Sequence, residues 1–376
     1  MLGRSERRRR ARLKALATWG ETAEETRARR TARVKAMALE AGFSRVGIAP
    51  ATALVEDRLH LQAWLDAGYH ASMAWLAEQV DKRCDPGALV HGAQAVIVLA
   101  LDYDSAAPRT RDVDLAGEDR AWISRYAWGT DYHVVAERRL KALEAAISWE
   151  FKEELGEEFR GAEARRGPFK AVRDLRWYVD HGPVLERALA VKAGLGWRGK
   201  HSLVLHPRHG SFFFLACVVT SIGLDPDEAM ADHCGTCTAC IDVCPTSAIV
   251  APYVVNAERC IAHATIETVG TMPTAERGLV GDHVFGCDLC QDVCPFNRFS
   301  QPSGERAFEP RPGNLAPTLA DLAQMDLAGF EARFGQSAVK RRGLEGLQDN
   351  AAAVQEGRRL GAATLLAEPK RPRGQG

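Results

Sequence analysis

Seven of the ten cysteines in this 376-residue chain fall in two runs that end alike. The first reads Cys234-Gly-Thr-Cys237-Thr-Ala-Cys240-Ile-Asp-Val-Cys244-Pro245, the second Cys287-Asp-Leu-Cys290-Gln-Asp-Val-Cys294-Pro295. The first is the C-x2-C-x2-C-x3-C-P spacing of a [4Fe-4S] ligand run, and the second repeats its last three ligands. Such loops wrap a cube of iron and sulfide, aim backbone N–H groups at its sulfurs and turn away at the proline. The clusters they enclose therefore dictate how this stretch folds. Cys260, between the runs, completes eight thiolates, enough for two cubes.

The spacing also carries a wiring rule. In two-cluster ferredoxins the cysteine before proline ligates the other cluster. One cluster then takes Cys234, Cys237, Cys240 and Cys294, and the other Cys244, Cys260, Cys287 and Cys290. Paired C-x2-C also makes four-thiolate zinc sites, but zinc needs neither the third cysteine nor the two Cys-Pro endings. Disulfides fit poorly with a chain that shows no secretory signal.

The length allows two or three domains. The longest strongly apolar run, Phe212 to Val219, is far too short to cross a bilayer, which argues against a membrane partner. A formal net charge of zero hides bunched basic residues. Arg7, Arg8, Arg9 and Arg10 open a basic arm, followed by Arg27, Arg29, Arg30 and Arg33. Lys340, Arg341 and Arg342 form a second group, and Lys370, Arg371 and Arg373 a third. An anionic partner meets these patches rather than the total, though solvated helix faces give the same pattern. Arg9 to Lys14 has the look of a twin-arginine export signal. Glu21, Glu24, Glu25 and Arg27 follow where an apolar stretch is needed, so the expectation is a cytoplasmic protein.

Residues 1–30 read as a basic N-terminal extension. A helix is predicted over Thr31 to Glu40, with Val34, Met37, Ala38 and Ala41 on one face and Gly42 ending it. Val46 to Ala49 reads as a short strand, and Ala95 to Leu101 and Phe212 to Val219 as buried strands. Leu140, Leu143, Ile147 and Phe151 mark a long helix. This alternation predicts an α/β layer over 31–226, closed by the turn at Asp225-Pro226-Asp227. The cysteine domain follows over 227–301. A helical region over 302–360 carries Leu319, Leu322, Met325, Leu327, Phe330 and Phe334, and 361–376 read as a disordered tail.

Gly194-Leu-Gly196-Trp-Arg-Gly199-Lys200 matches two nucleotide-binding patterns, but both require a strand before the glycines and a helix after them. Here Leu185 to Ala193 reads as helix and Ser202 to Leu205 as extended, so neither pattern applies. The glycines let backbone approach something large and flat, or simply turn the chain. In Asp180-His181-Gly182-Pro183-Val184-Leu185-Glu186-Arg187, Asp180 is either a helix cap with Pro183 near the first turn or a proton donor. The second role requires burial beside an apolar cofactor, because a free carboxyl group titrates near pH ~4. Arg125 to His133 packs aromatic, basic and acidic side chains into one loop before a helix, with Asp131 as a cap or the whole loop as a polar cofactor edge. Cys217 reads as a core residue, and Cys84 has no cysteine partner nearby.

Taken together, these segments resemble the epoxyqueuosine reductase family, relatives of corrinoid reductive dehalogenases. The matching stretches are KRCDPGALVHGA from Lys82, RYAWGTDYH from Arg125, VDHGPVLERALA from Val179, GLGWRGK from Gly194 and both cysteine runs; together they span roughly residues 32 to 345. The resemblance implies an α/β cobalamin-binding domain, an α+β bacterial-ferredoxin-like two-cluster domain and a short C-terminal α-helical, HEAT-like region. It implies two [4Fe-4S] clusters feeding a cobalamin (cob(II)alamin), with epoxyqueuosine at the wobble position of a tRNA as substrate and queuosine as product. Asp180 aligns with the family's proton donor, and Arg83, His133, Gly199 and Lys200 fall in segments that line the corrin. An external electron donor of flavodoxin or ferredoxin type and a monomeric state complete the expectation. The alternative is a reductive dehalogenase of a small organohalide. The chain departs from the family pattern at His181 in place of Thr, at His201 in place of Asn and at Ala262 in place of Ser. It also lacks the arginine-asparagine pattern around Gly343 to Asn350.

Overall fold

The computed structural model describes residues 21–115, 119–151 and 175–360. The arm at Arg7 to Arg10, the export-like stretch to Lys14, and the tail 361–376 with Lys370, Arg371 and Arg373 lie outside the described residues. Among the described residues no helix is long and apolar enough to cross a membrane.

Helix α1 covers Ala23–Glu40 and begins eight residues before the predicted start at Thr31. The reason is a capping box: Thr22 and Glu25 satisfy each other's backbone N–H groups, which fixes the first turn. Part of the expected basic arm is therefore helix, with Arg27 paired to Asp225 and Arg33 to Glu40. Strand β1 (Arg45–Pro50) follows, then helix α2 (Val55–Asp66) and strand β2 (Ala95–Asp102). Helix α3 (Tyr132–Phe151), strand β3 (Leu175–Tyr178), helix α4 (Glu186–Lys192) and strand β4 (Phe213–Thr220) complete the first layer.

The four strands form one sheet in the order β1-β2-β4-β3, and every neighbouring pair is antiparallel. The expected α/β layer is thus a helix-covered antiparallel sheet. β2 reads as an unbroken apolar run because both of its faces are covered. Ala95, Ile97, Leu99 and Leu101 meet α1 and α3 in one core, while Val96, Val98 and Ala100 meet Ala188, Leu189 and Ala190 of α4 in another. The stripe Leu140, Leu143, Ile147 and Phe151 is buried in the first core, and Cys217 in the second. The boundary at Asp227 is pinned rather than loose. Its carboxylate accepts Ile48 N–H at 2.8 Å and Lys35 Nζ at 2.5 Å.

Beyond it come the cysteine segment and three C-terminal helices, α5 (Leu319–Gln324), α6 (Leu327–Phe334) and α7 (Gly343–Leu360). Leu319, Leu322, Phe330 and Phe334 are buried as expected, but Leu327 is exposed. These helices share a third core with Ile123, Ala127 and Trp128 from the first layer and with Val284 and Phe285 from the cysteine segment. Two-residue strand Trp122–Ile123 runs parallel to His283–Phe285 across that junction. The predicted basic trio is divided: Lys340 and Arg341 face solvent, while Arg342 is buried and donates to Thr268 O at 2.6 Å. Asn350 is buried too, its amide donating to Thr265 O and Val284 O at 2.8 Å each.

Candidate active site and metal centres

The glycine-rich segment lies between a helix and a hairpin, which agrees with the rejection of the nucleotide motifs. Trp197–Arg198 pairs antiparallel with Val204–Leu205 directly after α4. Gly196 has φ +151, and a Cβ there would sit 2.1 Å from Leu205 O. Its role is close approach of backbone to backbone within the hairpin, which neither reading of these glycines named. The hairpin delivers Lys200, His201 and Leu205 to a hollow whose other wall is built by Cys234, Cys237, Cys240 and Cys294. The first three belong to the first run and Cys294 to the second, so the crossing pattern brings together the four thiols grouped from spacing. Burial first, then Cys294, Cys234 and Cys237, push the Cys240 thiol up to about 11.

The other four also assemble. Burial first, then Cys260 and Cys244, push Cys290 well above the ordinary thiol range. Burial, then Cys290 and more weakly Cys260, do the same to Cys287. Among the described residues no three His, Cys, Asp or Glu side chains are gathered closely enough for a single metal ion. The first four thiols are instead spread around a hollow.

Asp288, next to Cys287, was missed by the sequence reading. It is buried and accepts Thr110 Oγ1 at 2.7 Å, Arg125 N–H at 2.6 Å and the Ser124 hydroxyl. Arg125 is also buried, paired with Asp104 at 3.0 Å and donating to Ser105 and Ala107 carbonyls. Both look like surface charges in the sequence, and nothing in their spacing marks them as buried.

A third constellation surrounds the turn after β3. Asp180 has φ +49, in the left-handed region. Its N–H donates to Glu186 Oε1 at 2.7 Å, and its Oδ2 accepts the Tyr132 hydroxyl. It does not cap α4, which begins at Glu186 after Leu185 with no side-chain cap. The protein alone leaves Asp180 exposed, so the burial expected of a proton donor is not supplied by protein atoms. Tyr132 lies between the His133 and Phe214 rings, each 4.2 Å from it. Burial first, then the charge of Asp180, hold its phenol far above the ordinary range, so it stays a donor. For His133, burial opposes the charge, but its hydrogen bond to the Asp131 carboxylate at 2.8 Å and the charge of Asp131 prevail and raise the imidazole. Burial first, then Asp180, lift Glu186 to about 8.

Arg83 reaches the same turn, donating to Gly182 O and Trp75 O at 3.3 Å each. Its Nε is buried without a partner, as is the Tyr178 hydroxyl. Arg83, His133 and Asp180 therefore share one neighbourhood, while Lys200 lines the cysteine hollow and Gly199 packs against the Leu205 and His201 side chains behind it. Two tyrosines connect the acid to the second cysteine set. Tyr126 lies 6.3 Å from Tyr132 by ring centroids and packs 3.5 Å from where a Cβ on Gly286, the residue before Cys287, would stand.

Residues 233–297 match the family described as 4Fe-4S double cluster binding domain, and residues 83–163 match the one described as Epoxyqueuosine reductase QueG, DUF1730. The chain is 42% identical over 319 residues to an epoxyqueuosine reductase of Pseudomonas aeruginosa, covering 85% of this chain and 82% of that one. It is 41% identical over 323 residues to the enzyme of the same name from Escherichia coli, covering 86% and 80%. Among solved structures it is similar to an epoxyqueuosine reductase crystallised with an epoxyqueuosine-modified tRNA-Tyr stem loop. That match has a TM-score of 0.74 and 30% identity over 88% of this chain and 82% of the other. The Streptococcus thermophilus epoxyqueuosine reductase gives 0.73 and 26% over the same shares.

Proposed function

The chain belongs to the epoxyqueuosine reductase family, and from that membership we propose that it reduces epoxyqueuosine to queuosine at the wobble position of a tRNA anticodon. The observation that carries the reading is the continuity between acid and thiols. Asp180 accepts from Tyr132, Tyr132 packs edge-on against Tyr126, and Tyr126 lies beside Gly286, the residue before Cys287. Removing the epoxide oxygen takes two electrons and two protons, so an acid and an electron store must serve one substrate. We assign one [4Fe-4S] cluster to Cys234, Cys237, Cys240 and Cys294, and the other to Cys244, Cys260, Cys287 and Cys290.

We assign the corrin to the surface of Arg83, His133 and Asp180, with Gly199 and Lys200 on the side of the first cluster. The buried, unpartnered Arg83 Nε and Tyr178 hydroxyl fit a macrocycle edged with amide oxygens. When bound, cobalamin supplies the reducing centre for the epoxide carbon. The chain's own residues do the rest. Asp180 delivers a proton to the departing oxygen, Tyr132 holds its carboxylate in place, and Glu186 fixes its backbone. His133, its imidazole raised by Asp131, lies at the same site. The exposed Lys340 and Arg341 offer charge to an RNA backbone. Electrons come from an external donor, and the enzyme works in the cytoplasm.

The test is Asp180→Asn, prepared anaerobically with cobalamin and assayed on epoxyqueuosine tRNA by nucleoside mass spectrometry. Turnover should fall by about a hundredfold or more with the clusters intact. Undiminished queuosine formation would remove Asp180 from the chemistry.

A further inference from the structure

Lys200 joins the Trp197–Leu205 hairpin to the first cysteine loop. Its ammonium donates to Gly235 O at 2.6 Å and to Cys237 O at 2.9 Å, both carbonyls of the loop that wraps the hollow. Its own carbonyl accepts Tyr253 N–H at 2.9 Å, which fixes the lysine backbone from the other side. Across the loop, Asp232 accepts the Cys234 amide at 2.7 Å and also the Tyr253 hydroxyl. The remaining wall carries no fixed positive charge. Leu205 and Phe296 are apolar, and among the described residues no arginine or second lysine lines the hollow.

A [4Fe-4S] cube gains one negative charge when it takes up an electron. No bond is made or broken, and no proton moves. Cluster potentials respond to net charge and to hydrogen bonds around the sulfurs, and surrounding groups orient and tune metal ligands. A fixed cation on the wrapping loop favours the reduced form, and a carboxylate on the same loop opposes it. We propose that Lys200 raises the reduction potential of the cluster at this hollow, with Asp232 as the opposing charge, so that this cluster accepts electrons readily from an external one-electron donor. The proposal rests on the reading that two clusters are bound as assigned above. It gives Lys200 a positioning role through charge, separate from any contact with the corrin.

The test is an EPR-monitored redox titration of the full-length, anaerobically reconstituted protein with Lys200→Met, Lys200→Gln and Asp232→Asn. Lys200→Gln keeps a hydrogen-bond donor and removes the charge. Both lysine variants should move one of the two midpoint potentials to more negative values, and Asp232→Asn should move the same midpoint the other way. The second midpoint should stay in place. An unmoved midpoint in Lys200→Gln with full iron content would overturn the proposal and leave the lysine as a tether. Should Lys200→Met lose its cluster, the glutamine and asparagine variants decide the matter by the sign of their shifts. Wild-type protein holding well under about eight irons per chain would remove the two-cluster reading and the proposal with it.

Discussion

At the residue scale, an aspartate in the left-handed region costs about 1 kcal/mol or more and persists only while its surroundings hold it. Glu186 does this for Asp180 by accepting its N–H at 2.7 Å. Glu186→Ala should therefore lower turnover about tenfold or more with iron content unchanged, whereas Glu186→Gln, which keeps an acceptor oxygen, should stay within about threefold. Equal losses in both variants would show that an acceptor oxygen at this position is not enough. The same carboxyl gives a pH dependence. Burial first, then Asp180, raise it from 4.5 to about 8. Between those values the folded chain keeps a proton that the unfolded chain has released. Its stabilising contribution is thus complete below pH 4.5 and is lost as pH rises through about 8. Melting curves at about pH 5, 7 and 9 should show wild type losing ground to Glu186→Gln as pH rises. Parallel curves would contradict a neutral buried carboxyl.

At the element scale, the start of α1 depends on Thr22 and the hairpin on Gly196. Thr22→Ala removes the cap hydrogen bond from Glu25 N–H and should destabilise by about 1 kcal/mol in chemical denaturation. Gly196→Ala places a methyl group 2.1 Å from Leu205 O, so the hairpin must open. The expected result is selective loss of the first cluster's absorbance while the sheet's circular dichroism persists. The helices and buried strands were legible because period and apolar runs report burial locally: β2 and β4 were placed within a residue or two. Their antiparallel order was not, since partner and direction depend on register between distant segments. The early start of α1 was encoded by Thr22 and Glu25, but no apolar stripe draws attention to that first turn.

At the scale of the whole molecule, the crossed assignment makes a prediction that sequence-local wiring does not. Cys294→Ala should lose the same cluster as Cys234→Ala, so the double variant should hold about four irons, as each single does. Combining Cys234→Ala with Cys260→Ala should remove both clusters. If Cys294 and Cys287 instead behave as one group, the crossing is wrong. The four thiols around the hollow could be grouped from spacing because short loops leave few geometries. The carboxylate that ties one run to the rest of the chain could not, because Asp288 finds its donors some 160 to 180 positions earlier. That tie has a consequence for both thiol sets. Three donors from Thr110, Ser124 and Arg125 anchor the segment carrying Cys287 and Cys290 on the amino-terminal half. Because Cys294 of the other set lies on that same run, both groups of four thiols lean on contacts made by the amino-terminal half.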